Sequence, residues 1–176
     1  FVLGSMSAVS AEAWDAIITS NLSSAFYVSS AALPGMRKRG QGKIVNIGMA
    51  PMHKNRAASN LAPYAIAKMG IDILTRSMAS EEAKAGIRVN CVAPGLIDNG
   101  HLSAAELKWM KSRLPAERIG EPDDVASAVA FLVSEEASYV SGATLVVSGG
   151  WDWDGRPETA MDDALLEATQ PKAEHD

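Results

Sequence analysis

A chain of 176 residues, 47% of them hydrophobic and 21% charged, is long enough to build one domain around a sizeable apolar core. No apolar run reaches the ~20 residues of a membrane span, and a formal net charge of −5 argues against nucleic acid as a main partner, because phosphate recognition needs clustered Lys and Arg. The single cysteine, Cys91, excludes an internal disulfide and a thiolate metal site, and His53, His101 and His175 are scattered without ligand spacing, so no metal is expected. A reducing cytoplasm is the default compartment for such a composition, although a chain that begins at Phe1 leaves an upstream targeting segment open.

Residues 1 to 9 read as a small-residue loop. Ser10 is placed to cap a helix that starts at Ala11, with Glu12 in its first turn. Trp14, Ile17, Ile18, Leu22 and Phe26 recur at roughly helical spacing, and the helix is expected to run to Arg39 and stop at Gly40, with Pro34 kinking its last turns. The basic run Arg37-Lys38-Arg39 then complements the dipole of a helix C-terminus. Lys43 to Gly48 is a short, β-branched apolar run without alternation, the pattern of a parallel strand covered on both faces.

Residues 49 to 62 carry no period and read as a loop. Pro63 opens a helix that ends near Ala85, with Gly86 as its stop. Its small residues Ala65, Ala67, Gly70 and Ala79 permit close packing against another helix. Ile87 to Ala93 is a second buried strand, ended by Pro94-Gly95, and Cys91 within it reads as a small core residue. A short helix from Ser103 to Leu114 follows, then a helix opened by Pro122-Asp123-Asp124, whose two acids suit a helix N-terminus. Ala143 to Ser148 is a third strand, stopped by Gly149-Gly150. Beyond Trp151-Asp152-Trp153 the composition turns acidic; residues 154–176 read as a flexible tail with a weak helix from Ala160 to Ala168. Helix and strand alternating in this way define an α/β domain with parallel strands and crossover helices.

Two segments carry the chemistry. Tyr64-Ala65-Ile66-Ala67-Lys68 sets a phenol and an ammonium one turn apart on one helix face. Tyrosine titrates near pKa ~10 in water, and a nearby ammonium is expected to stabilise the phenolate and lower that value. Taken by itself, the pair reads as a surface Tyr beside a solvated Lys. The second segment, Arg88-Val89-Asn90-Cys91-Val92-Ala93-Pro94-Gly95, puts a sharp turn at the carboxyl end of a parallel strand, where open α/β sheets bind ligands.

The Tyr-xxx-Lys pair, a helix, a strand and Pro-Gly in that order resemble the short-chain dehydrogenase/reductase family, and the chain is similar to its 3-oxoacyl-carrier-protein reductase members. The likeness covers roughly residues 8 to 151, including Arg118-Ile119-Gly120-Glu121-Pro122-Asp123-Asp124 and Ser141-Gly142-Ala143. It implies the C-terminal part of a Rossmann-like, doubly wound parallel sheet over residues 1–153. It also implies an oxidoreductase that moves a hydride between NAD or NADP and a carbonyl or alcohol substrate. Tyr64 would be the general acid and base, Lys68 its support, and Asn21 the anchor of a water that reaches the Lys. Tyr64, Lys68, Pro94, Gly95 and Ile97 would contact the cofactor, with the backbone beside Ile97 on the nicotinamide carboxamide. Asn90 reads as structural. A homotetramer or homodimer packed through the two long helices is the expected assembly, and Asp98 to Leu114 the substrate lid.

Three departures matter. Family members carry a Ser after the strand that precedes the Tyr, and its hydroxyl polarises the substrate carbonyl; here the positions are Gly48 and Met49, which offer no side-chain donor. Losing one such donor costs ~10²–10³ in rate, and the loop that follows is longer than usual, leaving His53, Ser59 or Asn60 as possible substitutes. Asn99 stands where many members have a Thr near the pyrophosphate. The glycine-rich turn that cradles the pyrophosphate is absent. Three strand–helix units of ~30 residues each, about 90 in all, are expected upstream in a longer protein; without them the Lys43–Gly48 strand has an open apolar edge. A non-catalytic subunit of the same fold is the rival expectation, and a purely structural α/β module the weaker third.

Overall fold

The computed structural model describes residues 4–50, 58, 60–98, 100, 103–112 and 114–151. The expected tail and its weak helix lie outside the described residues, as do His53, Ser59 and Asn99.

Helix α1 (Ala11–Ile18) starts where the sequence predicts: the Ser10 hydroxyl accepts from the Ala13 amide at 3.2 Å. Helix α2 (Ser24–Arg39) runs through Pro34 and closes on Gly40, whose φ of 67° is left-handed. The two are not one regular rod. Thr19–Ser23 between them is a π-turn, which the apolar spacing does not reveal. Its signal is the run Thr19-Ser20-Asn21 with Ser23-Ser24, short polar side chains that compete for their own backbone. Ser24 Oγ donates to the Ser20 carbonyl at 2.7 Å, and Ser20 Oγ to that of Ile17 at 3.3 Å.

Strands β1 (Gly42–Ile47), β2 (Ile87–Pro94) and β3 (Thr144–Val147) form a parallel sheet in that order. Asn46 pairs with Cys91, and Cys91 with Thr144. Helix α3 (Ala62–Glu82) and a 3₁₀ turn (Ala83–Ala85) connect β1 to β2. Helices α4 (Ala104–Lys111) and α5 (Pro122–Val133) lie between β2 and β3. Gly86 fits because its φ is 71° and a Cβ there would stand 2.2 Å from the Gly40 carbonyl oxygen.

Strand β2 explains the two-layer cover by its period of two. Ile87, Val89, Cys91 and Ala93 pack with Leu33, Ile71, Met78 and Ala79 from α2 and α3. Val92 packs on the other face with Ala128 and Leu132 of α5. Arg88 and Asn90 share that second face. Arg88 donates to the carbonyls of Leu132, Ser134 and Val140, tying down the end of α5. Asn90 donates to the Val140 carbonyl and accepts from the Ala143 amide, which is the structural role expected of it. Cys91 is fully buried, and burial pushes its thiol up to about 11.

The small residues of α3 are buried: Ala65, Ala67 and Ala79 lie within the chain, and Gly70 abuts Leu22 of the π-turn, the close helix packing that its size permits. Arg37 in the last turn of α2 pairs with the nearly buried Glu82 of α3, its Nε 2.8 Å from Oε2. Among the described residues no helix is long and apolar enough to cross a membrane.

Candidate active site

The carboxyl ends of β1 and β2 gather the predicted residues. Backbone pairing outlasts β1 itself: the Gly48 amide donates to the Val92 carbonyl at 2.8 Å and the Ala50 amide to that of Pro94 at 2.9 Å. Successive residues of a parallel strand bond to opposite sides, so Ile47 turns its carbonyl away from β2. Lys68, in the second turn of α3, donates its Nζ to that carbonyl at 3.0 Å. The ammonium also stands over the Tyr64 ring, 5.5 Å from its centroid.

The charge balance differs from the sequence argument. Burial pushes the Tyr64 phenol above its ordinary value, and burial pulls the Lys68 ammonium below its own. The lowering of the phenol expected from the lysine is outweighed here by burial, which favours the neutral form.

Asn21 lies in the π-turn, which turns it out of regular helical register. Its Nδ2 donates to the Ile17 carbonyl at 3.0 Å and to Ser20 Oγ at 3.1 Å. Asn21 and Lys68 line one cavity of about 370 Å³, with Ser20, Ser24, Asn46 and Ile47 among its other walls. Cavity and lysine therefore sit at the edge of β1 that no described strand covers.

Pro94, Gly95 and Ile97 lie at the next strand end. The Gly95 amide donates to the Val147 carbonyl at 2.9 Å, and a Cβ on Gly95 would stand 2.9 Å from Ser148 Cα, so the turn needs glycine. Ile97 forms a parallel bridge with Gly120, and the Asp98 amide donates to the Gly120 carbonyl at 2.8 Å. Arg118 holds that partner loop with two 2.7 Å bonds to Asp124, whose carboxyl falls far below the usual range. Ile97 lines a separate cavity of about 70 Å³ with Arg118, Gly120 and Ser148. The structure thus joins Lys68 with Tyr64 and Asn21 with Lys68, and sets the Pro94–Ile97 turn apart as a second, braced element. Gly48 and Met49 close β1 with no side-chain hydroxyl. Asn46 and Thr75 are buried beside the site, and their sequence signal is an amide and a hydroxyl inside apolar runs, which periodicity alone does not single out.

A parallel α/β sheet with its polar groups gathered at the carboxyl ends of the strands is a Rossmann-like arrangement, in which ligands bind at those ends. Residues 2–152 match the family described as Enoyl-(Acyl carrier protein) reductase, and the chain belongs to the short-chain dehydrogenase/reductase family. It is 44% identical over 142 residues to a 3-oxoacyl-(acyl-carrier-protein) reductase of Vibrio cholerae, covering 79% of this chain and 57% of that one. It is 38% identical over 144 residues to dehydrogenase/reductase SDR family member 4 of Sus scrofa, covering 79% and 51%. A gluconate 5-dehydrogenase of Burkholderia cenocepacia, solved in complex with NADP and tartrate, superposes with a TM-score of 0.76 at 35% identity, covering 84% of this chain and 59% of that one. The chain spans a little over half the length of these relatives.

Proposed function

We propose that this chain forms the acid–base half of an NAD(P)-dependent oxidoreductase acting on a carbonyl or alcohol. The observation that carries the reading is the Lys68 ammonium, fixed between the Ile47 carbonyl and the Tyr64 ring at the mouth of a cavity that also holds Asn21. Tyr64 delivers a proton from its hydroxyl to a carbonyl oxygen in reduction and receives one in oxidation. Lys68 supplies positive charge beside the phenol when the proton leaves. Asn21, bound to Ile17 and Ser20, leaves its carbonyl oxygen to hold a water on the route to Lys68.

The donor set fits a nicotinamide cofactor. Lys68 offers N–H groups to a ribose, and the braced Pro94–Ile97 turn offers backbone to a carboxamide. When bound, such a cofactor supplies or takes up the hydride. A 3-oxoacyl-(acyl-carrier-protein) reductase and a gluconate 5-dehydrogenase among the relatives support a carbonyl or alcohol as the substrate class. Exposed Phe26, Tyr27 and Val28 on α2 with Ile66 and Ile73 on α3 support assembly with further copies through these helices.

The test is turnover by the protein at the length its own cells make. NADH and NADPH oxidation is followed with 3-oxoacyl thioesters and keto-sugar acids, and the reverse reaction with the matching alcohols. Measurable turnover with either cofactor is expected. Cofactor binding without turnover on any substrate would sink the catalytic reading in favour of a non-catalytic subunit, which the missing donor at Met49 favours.

A further inference from the structure

We infer that the buried Asn46–Thr75 hydrogen bond is the positioning device that sets Lys68 and Tyr64 at the end of β1, an inference that rests on the catalytic reading above. Asn46 Nδ2 donates to Thr75 Oγ1 at 2.9 Å, and the two residues are 6% and 0% exposed. The amide comes from the strand residue next to Ile47, whose carbonyl holds Lys68. The hydroxyl comes from the α3 residue seven after Lys68, two turns on and on the same face.

Around this bond the strand–helix contact is smooth. Ile71, Leu74 and Met78 pack with Ile44, Val89 and Cys91 through apolar surface, which is non-directional and allows a helix to slide by fractions of an ångström. A hydrogen bond has a narrow optimum in length and angle, so a buried one selects a single register. The Thr144 hydroxyl also ties β3 to α3, but through the partly exposed Asp72 carboxylate and at the strand farthest from β1. A slide of α3 along β1 would move Tyr64 and Lys68 together, away from the cavity that Asn21 shares. Neither Asn46 nor Thr75 donates or receives the reaction's proton; they act through the helix that carries the groups that do.

The experiment compares Thr75→Val, which keeps shape and removes the hydroxyl, with Thr75→Ser, which keeps the hydroxyl. Both are made in the protein at its native length. For Thr75→Val we expect kcat to fall about 10–100-fold, as misplaced catalytic groups do. The pH dependence of kcat/KM should shift, while far-ultraviolet circular dichroism stays parental. Thr75→Ser should restore kcat and the pH profile. Parental kcat and pH profile in Thr75→Val overturns the inference, as does a loss that Thr75→Ser fails to rescue. Thr75→Ala serves if Thr75→Val does not fold; failure of both to fold would make the pair a stability element alone and also overturn it. A parent without turnover would instead mark failure of the catalytic reading. In that case the Lys68 ammonium, titrated by NMR after reductive ¹³C-methylation, still decides: a titration unchanged by Thr75→Val overturns the positioning role.

Discussion

Leu22 seats its side chain in the notch left by Gly70: a Cβ on Gly70 would stand 2.8 Å from Leu22 Cδ2. Leu22 belongs to the π-turn that carries Asn21, and Gly70 lies two residues beyond Lys68 on α3. The contact therefore fixes the distance between the segments that carry two of the proposed site residues.

Substitution of Gly70 tests that contact. Alanine gains about 1 kcal/mol of helix propensity over glycine and loses ~1–3 kcal/mol to overpacking. The obstructing atom is the end of a flexible leucine, so Gly70→Ala is expected to fold with a melting temperature within a few degrees of the parent. Gly70→Val, bulkier and β-branched, should lose about 1–3 kcal/mol by denaturant titration. Parental stability for Gly70→Val would show that the π-turn is not held by this notch.

Tyr64→Phe removes the hydroxyl and leaves the ring under Lys68. Loss of a general acid costs ~10²–10⁴-fold, so turnover should fall by that factor while cofactor affinity, read by fluorescence titration, changes little. The pH dependence of the parent follows from the burial of Tyr64. Its raised value keeps the phenol protonated through the neutral and mildly alkaline range. Carbonyl reduction, which consumes that proton, should hold a plateau up to the ordinary tyrosine value near pKa ~10 and decline only as the pH rises through the raised one. An alkaline limb centred at neutral pH would remove Tyr64 from the acid's role.

The strands and helices were legible because burial is written in β2 and its neighbours as uninterrupted apolar runs, and because Ser10, Gly40, Gly86 and Pro122 punctuate the ends. Tyr64 and Lys68 were legible as a helical pair. Three things were not. The π-turn depends on side-chain-to-backbone bonds that compete with a regular helix, and apolar spacing is blind to them. Which elements the small residues Ala65, Ala67 and Gly70 pack against depends on which face of α3 the sheet covers, and composition does not specify that face. The direction of the Tyr64 shift depends on how deeply the packed fold buries the phenol, and a spacing of one turn does not specify that.

The Arg37–Glu82 pair joins the end of α2 to the end of α3. Arg37 holds the Glu82 carboxyl below its usual range through its hydrogen bonds. A depressed carboxylate adds stability that is fully present above the ordinary value near pKa ~4.3 and is lost as the pH falls through the folded-state value. Glu82→Gln should therefore melt below the parent at pH 7, and the gap should close as the pH falls below the ordinary glutamate value. A gap that persists unchanged in acid would assign the loss to packing rather than to the charge.

Met49 stands two residues past β1, where family resemblance expects a hydroxyl, beside a Gly48 whose amide is already committed to Val92. A thioether cannot donate to a developing oxyanion, and one preorganised donor is worth ~10²–10³ in rate. If Tyr64 works without such a donor, Met49→Ser should raise kcat toward that factor in the protein at native length, with cofactor affinity unchanged. If another residue between Met49 and Tyr64 already supplies a donor, the serine adds nothing and kcat stays within about twofold of the parent, a change of under 0.5 kcal/mol in barrier. Loss of activity in Met49→Ser would mean that the methionine packs against substrate or cofactor, and would place this strand end in binding rather than in polarising the carbonyl.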